Sequence, residues 1–116
     1  MTFLSRDAIL SANDTPTETV EVPEWGGSVR VQAMSGTDRD RIEAALVGNG
    51  KKPNLENFRA KLAATCIVDE DGNRMFAEQD VAALGRKSAA ALDRVATAAQ
   101  RISGLSQEDV EELAGN

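Results

Sequence analysis

The sequence predicts an α+β domain, predominantly helical, with an N-terminal β-hairpin and four to five helices after it. Three observations carry that reading. Residues 17–34 alternate apolar and polar around a Pro-Glu-Trp-Gly-Gly turn, the two-residue period of paired strands. Later segments place apolar residues at three- and four-residue spacing, the period of half-buried helices. The apolar share of 41% leans on alanine and includes only 3% aromatics, which suits closely packed helices.

A chain of 116 residues is one domain by length, with a modest core. Residues 1–16 read as a loosely ordered arm around a short helix near Asp7–Leu10, and residues 17–116 as the single domain. In the hairpin, Val20 and Val22 share one face, as do Val29, Val31 and Ala33. Trp25, in the connecting turn, is either a lid on the core or an exposed partner anchor. Ser35 or Thr37 caps the next helix, which runs to about Val47 with Ile42, Ala45 and Leu46 inward.

Gly48–Pro53 breaks that helix, and Asn54 is expected to cap a second one carrying Leu55, Phe58, Leu62 and Thr65 or Cys66. A short helix follows over about Ala77–Leu84 and stops at Gly85. A longer helix spans about Lys87–Ile102, with Leu92, Val95, Ala96, Ala99 and Ile102 on one stripe and Gly104 ending it. Ser106 caps a last short helix bearing Val110 and Leu113.

Charge and composition narrow the function. The net charge of −6 and scattered basic residues disfavour nucleic acid and membrane surfaces as partners. No apolar run approaches the roughly 20 residues that span a bilayer, and no secretory signal opens the chain. A lone Cys66 allows no internal disulfide and fits a reducing compartment. Without His or Tyr, Ser-His and Cys-His dyads and His-ligated metals are excluded, so an enzyme is disfavoured.

The acidic stretch Asp69-Glu70-Asp71-Gly72 invites comparison with a calcium loop. Setting Gly72 sixth puts Asp69 third, Asp71 fifth and Glu78 twelfth, all of which fit. Position one then falls on Ile67, where a carboxylate is needed, and Arg74 stands where an apolar residue packs. Asp71-Gly72 instead marks a tight turn, a short hairpin near residues 66–76 held to the core by Val68 and Phe76. Cys66, among apolar neighbours, reads as a buried structural thiol. Glu108, Asp109, Glu111 and Glu112 form either a solvated helix face or a docking surface for a basic partner. No cofactor, metal or catalytic residue is expected.

These segments, in order, resemble a known family. Val22-Pro23-Glu24-Trp25-Gly26-Gly27 with Val29 and Val31 comes first, then Ser35-Gly36 with Arg39-Asp40. Cys66 to Gly72, with Arg74 and Phe76, is followed by Asp80-Val81-Ala82-Ala83-Leu84-Gly85 with Lys87-Ser88. Ala91-Leu92-Asp93-Arg94 and Gly104-Leu105-Ser106 with Glu108 to Glu112 complete the pattern, which covers about residues 5–115. The whole resembles the tail assembly chaperones of long-tailed, siphovirus-type bacteriophages.

The resemblance implies a non-enzymatic protein that binds the tape measure protein and keeps that long helical chain soluble until tail tube subunits polymerise around it. It implies action in the cytoplasm of the infected host and absence from the finished virion. A longer, frameshifted form of the chain, the major tail tube protein and further copies of itself are the other partners it implies. The family supplies no transferable site motif. Trp25, Leu105, Val110 and Leu113, the apolar residues expected to be least committed to the core, are the candidate contacts. The competing function is a structural virion protein, such as a head–tail or tail completion component.

Overall fold

Strands β1 (Thr17–Val22) and β2 (Gly27–Gln32) form the expected antiparallel hairpin. The structure, a computed structural model, describes residues 2–47 and 56–105. Its register sets Val20 opposite Val29 and Glu18 opposite Val31. Because opposed residues of an antiparallel pair share a face, Val20, Val22, Val29 and Val31 line one side. Val22 and Val31 are fully buried there. A turn of 3-10 helix at Pro23–Trp25 joins the strands, closed by Gly26 at φ 74°, a left-handed conformation that suits glycine.

One pairing was not legible in the sequence. Ile67–Val68 forms β3, which pairs antiparallel with β2 through Val31↔Ile67 and Arg30↔Val68. The expected short hairpin at the acidic turn is present, with Val68 bridged antiparallel to Arg74 and the Met75 N–H donating to Ile67 O at 3.2 Å, and its first arm also adds a third strand to the sheet, in the order β1-β2-β3.

The helices of the described residues are α1 (Arg6–Ser11), α2 (Gly36–Val47), α3 (Phe58–Cys66), α4 (Val81–Leu84) and α5 (Ala89–Ile102). Helix α5 packs on the hairpin, α3 packs against α5, and α2 and α4 pack against α3, while no residue of α1 is buried. In α5, Ala91, Leu92, Val95, Ala96, Ala98 and Ala99 are buried, close to the expected stripe. Ser88 caps it by accepting the Ala91 N–H at 3.2 Å. Ion pairs bracket α5 on the hairpin: Arg94 Nε donates to Glu24 at 3.0 Å, and Arg101 grips both oxygens of Glu18 at 2.7 Å. Seven residues separate the two arginines, roughly 10 Å along a helix, so the pairs tie α5 to the hairpin at two points.

Helix α3 begins at Phe58, later than an Asn54 cap implies. Asn57 is left-handed (φ 61°), which interrupts a right-handed helix; Asn is the residue that most readily tolerates this after Gly. Asn54 and Leu55 lie outside the described residues. The 77–84 segment divides into a 3-10 turn, Glu78–Asp80, and α4, with the Asp80 carboxylate accepting the Ala77 N–H at 2.8 Å. Gly85 does not end α4 through a left-handed conformation; a side chain there would collide with Asn57. The expected helix after Ser106 lies outside the described residues.

The core has two parts. The larger joins Val22, Val31, Ile67, Leu92 and Val95 to the alanines of α3 and α5 and to Cys66. The smaller joins Ile42 and Leu46 of α2 to Leu62 and Ala96, with Met34 and Phe58 at its margin. Small residues on α3 and α5 let their backbones approach closely, which accounts for the alanine-rich composition.

Candidate interaction site

The acidic turn is closed by its own groups. Asp69 Oδ1 accepts the N–H groups of Asp71 at 2.9 Å and Asn73 at 3.0 Å, and the Asp69 N–H donates to Asn73 O at 2.8 Å. Gly72 sits at φ 85°, where glycine is favoured. Arg74, the residue that breaks the calcium pattern, has a structural task. Its Nη2 donates to the Ala64 carbonyl at 3.4 Å, and its Nη1 lies 4.0 Å from Asp38 Oδ1. It thus ties the turn to α3 and to the first turn of α2. Among the described residues, no three His, Cys, Asp or Glu gather where they could hold a metal ion.

Beside this turn runs a groove of about 810 Å³ between α2, α3 and residues 74–82. Ile42, Ala45, Ala64, Phe76 and Val81 give it apolar walls, and charges of both signs, including Asp38, Arg41, Lys61 and Glu78, line it too. The cap of α2 sets one wall: Ser35 Oγ accepts the Asp38 N–H at 3.1 Å, and Ser35 O accepts the Arg39 N–H at 3.0 Å. Ser35, not Thr37, is the capping residue.

Cys66 faces the interior. Burial, with a smaller contribution from the Asp38 carboxylate, pushes its thiol up to about 12, so it is protonated and unreactive at neutral pH. The buried structural thiol expected from sequence is what the structure contains.

The four candidate contact residues are placed very differently. Trp25 is half-buried and packs against the larger core cluster, as a lid, with part of its ring still exposed. Leu105 is only 7% exposed, so the expectation that it is loosely committed is corrected. The cause is the end of α5: Gly104 at φ 77° turns the chain, the Leu105 N–H donates to Gln100 O at 2.9 Å, and the Gly104 N–H donates to Arg101 O at 3.2 Å. This is the Schellman arrangement, which folds the residue after the glycine back onto the helix. Val110 and Leu113 lie outside the described residues.

Sequence reading missed the most exposed apolar group. Phe3, Leu4, Ile9 and Leu10 are 90%, 69%, 56% and 68% exposed, and no residue of α1 is buried. The available signal was the pair of apolar dipeptides Phe3-Leu4 and Ile9-Leu10, set before a strand pair with only one apolar face to cover. Met75 adds a fifth exposed apolar side chain, at the acidic turn.

Displayed apolar residues and a groove of mixed charge are features that protein-binding surfaces share. The chain belongs to the phage tail assembly chaperone family, whose model matches residues 5–116. Its fold is similar to that in the structure of the bacteriophage HK97 tail assembly chaperone, with a TM-score of 0.59 and 19% identity, covering 87% of this chain and 92% of that one. Comparison with curated proteins gives no match.

Proposed function

We propose that this tail assembly chaperone binds the tape measure protein and keeps it soluble until the tail tube polymerises around it, without catalysing a reaction. The observation that carries the reading is membership of the family across residues 5–116. A long helical client in water exposes apolar surface that drives aggregation. A small protein with a net charge of −6 can cover that surface while its charge keeps the complex dispersed. Many weak contacts along one client act together, so several copies per client and a homo-oligomer belong to the same proposal.

The exposed part of Trp25, with Val110 and Leu113, is proposed as client contact; Leu105 is not, because the fold itself consumes it. The major tail tube protein and a longer, frameshifted form of the chain are the further partners proposed. The site of action is the cytoplasm of the infected host, and the mature virion lacks the protein. Co-expression with the tape measure protein tests this reading: the client's soluble yield should rise. An unchanged yield, or abundant peptides of this chain in purified virions, contradicts it.

A further inference from the structure

We infer that residues 106–113 dock into the groove between α2 and residues 74–82 of the same copy, as an acidic cover supplied by the chain itself. The docking goes beyond the reading above and needs no client.

The groove holds charge that the described residues do not match. Asp38 and Arg74 offset each other across it, with Arg74 Nη1 4.0 Å from Asp38 Oδ1. That leaves Arg41 and Lys61 against Glu78, a net of +1 in a chain whose total is −6. Among the described residues, the side chains of Arg41 and Lys61 make no ion pair and no hydrogen bond. Phe76 and Val81 stand half-buried in the walls, and Ala45 is exposed there. Apolar walls beside unmatched cations suit an occupant that brings both apolar side chains and carboxylates.

Residues 106–116 have that chemistry. They carry Glu108, Asp109, Glu111 and Glu112 and no Lys or Arg, a net of −4, so the rest of the chain totals only −2 (−6 less −4). Val110 and Leu113 are three residues apart, the spacing that shares one face of a helix. An acidic, amphipathic segment laid in a cationic, apolar-walled groove is helix-in-groove recognition within one chain.

The point of attachment favours the same copy over any other source. Leu105, where the described residues stop, is buried, and Ser103 Oγ accepts the Met34 N–H at 2.9 Å. Met34 directly precedes Ser35, the cap of α2, so the segment starts beside the helix that supplies Arg41 and Ala45 to the groove. Arg41 lies five residues beyond Gly36, roughly 8 Å along that helix. Residues 106–111, fully extended, span up to about 20 Å, enough to carry the carboxylates to the groove's cations. Such a short tether holds the segment at a local concentration of roughly millimolar, so even a weak contact is populated.

The consequence is regulatory. In the free chain the groove covers Val110 and Leu113, and a partner that uses those residues must first draw them out. Their role as client contacts rests on the reading above. The docking is measured without client, so its failure leaves that reading standing.

The test attaches a nitroxide to an Ala114→Cys variant of the full chain, Cys66 being buried and unreactive at neutral pH. Labelled, isotope-enriched chain is diluted into an excess of unlabelled, unenriched chain, so that only contacts within one copy are read. Amide signals of residues 41–45 and 76–82 should broaden, recover when the nitroxide is reduced, and broaden less at high salt. Adding Arg41→Glu and Lys61→Glu should abolish the broadening, and adding Glu111→Lys and Glu112→Lys to those should restore it. Arg41 is exposed and Lys61 half-buried; should circular dichroism show that their double variant does not fold, Glu111→Lys with Glu112→Lys alone should abolish the broadening instead. Signals that do not broaden in the labelled Ala114→Cys chain, or broadening that survives charge reversal, refute the docking. Broadening seen only when label and isotope sit on different copies assigns the groove to a neighbour's segment and likewise overturns it.

Discussion

Replacing Leu62 by Ala tests whether α2, α3 and α5 share the packed cluster described above. Leu62 is fully buried, and its neighbours in that cluster are Ile42, Leu46 and Ala96, with Met34 and Phe58 at the margin. Truncation removes buried methyl groups and leaves a cavity, and Leu→Ala changes of this kind cost about 2–5 kcal/mol. Met34 and Phe58 are only partly buried and can lean into the space, while Ala96 on a rigid helix cannot. Partial collapse therefore puts the expected cost in the lower half of the range, about 2–3.5 kcal/mol. For a domain of this size that lowers Tm by on the order of 10 °C. Urea unfolding followed by circular dichroism should show a lower midpoint at unchanged slope, since the surface exposed on unfolding hardly changes. A loss under about 1 kcal/mol, the level of an ordinary surface change, would show that Leu62 is not enclosed and would refute the packing of α2 against α3 and α5.

Gly72→Ala should cost about 1–2 kcal/mol, the usual penalty for a side chain in the left-handed region, because φ is 85° and nothing lies within 4 Å of the added Cβ; equal urea midpoints for variant and wild type would disprove it. Cys66 should resist a thiol reagent in the native protein and react promptly in denaturant. Since its folded pKa of about 12 lies above the ordinary 9.0, stability is intact below pH 9.0 and falls as pH rises toward about 12. A Cys66→Ala variant should lose much of that alkaline limb. Glu18 and Glu24 move the other way: hydrogen bonds from Arg101 and Arg94 hold both below the usual 4.5. Their contribution is present above pH 4.5 and fades as pH falls through the lowered folded values, so the Glu18→Gln, Glu24→Gln double variant should flatten the acid side of a Tm-against-pH curve.

The elements that the sequence made legible are those whose signal is local. The hairpin follows from valine alternation, α5 from its apolar stripe with Gly104 after it, and the tight turn from Asp71-Gly72. Burial of Cys66 follows from its apolar neighbours. What escaped depends on partners distant in sequence. Ile67-Val68 reads locally as one arm of a short hairpin, but its pairing with β2 depends on Val31 and Arg30, which are far away in sequence. The start of α3 depends on Asn57 taking a left-handed conformation, which an Asn tolerates but does not signal. Leu105 lies just past a helix end, where sequence suggests looseness, yet the turn at Gly104 folds it inward. The candidate site was the least legible part. A groove exists only where three segments meet, and the exposure of Phe3, Leu4, Ile9 and Leu10 follows from what the sheet and helices leave uncovered.

For this member of the phage tail assembly chaperone family, the proposed client is a long, aggregation-prone protein. The most direct measurement is the soluble fraction of the tape measure protein, expressed in a bacterial host with and without this chain and assayed after clarification of the lysate. The client should move from pellet to supernatant in proportion to the chaperone expressed, and the two should co-purify. A client that stays in the pellet at every level of co-expression, with the chaperone itself soluble and folded, would contradict it.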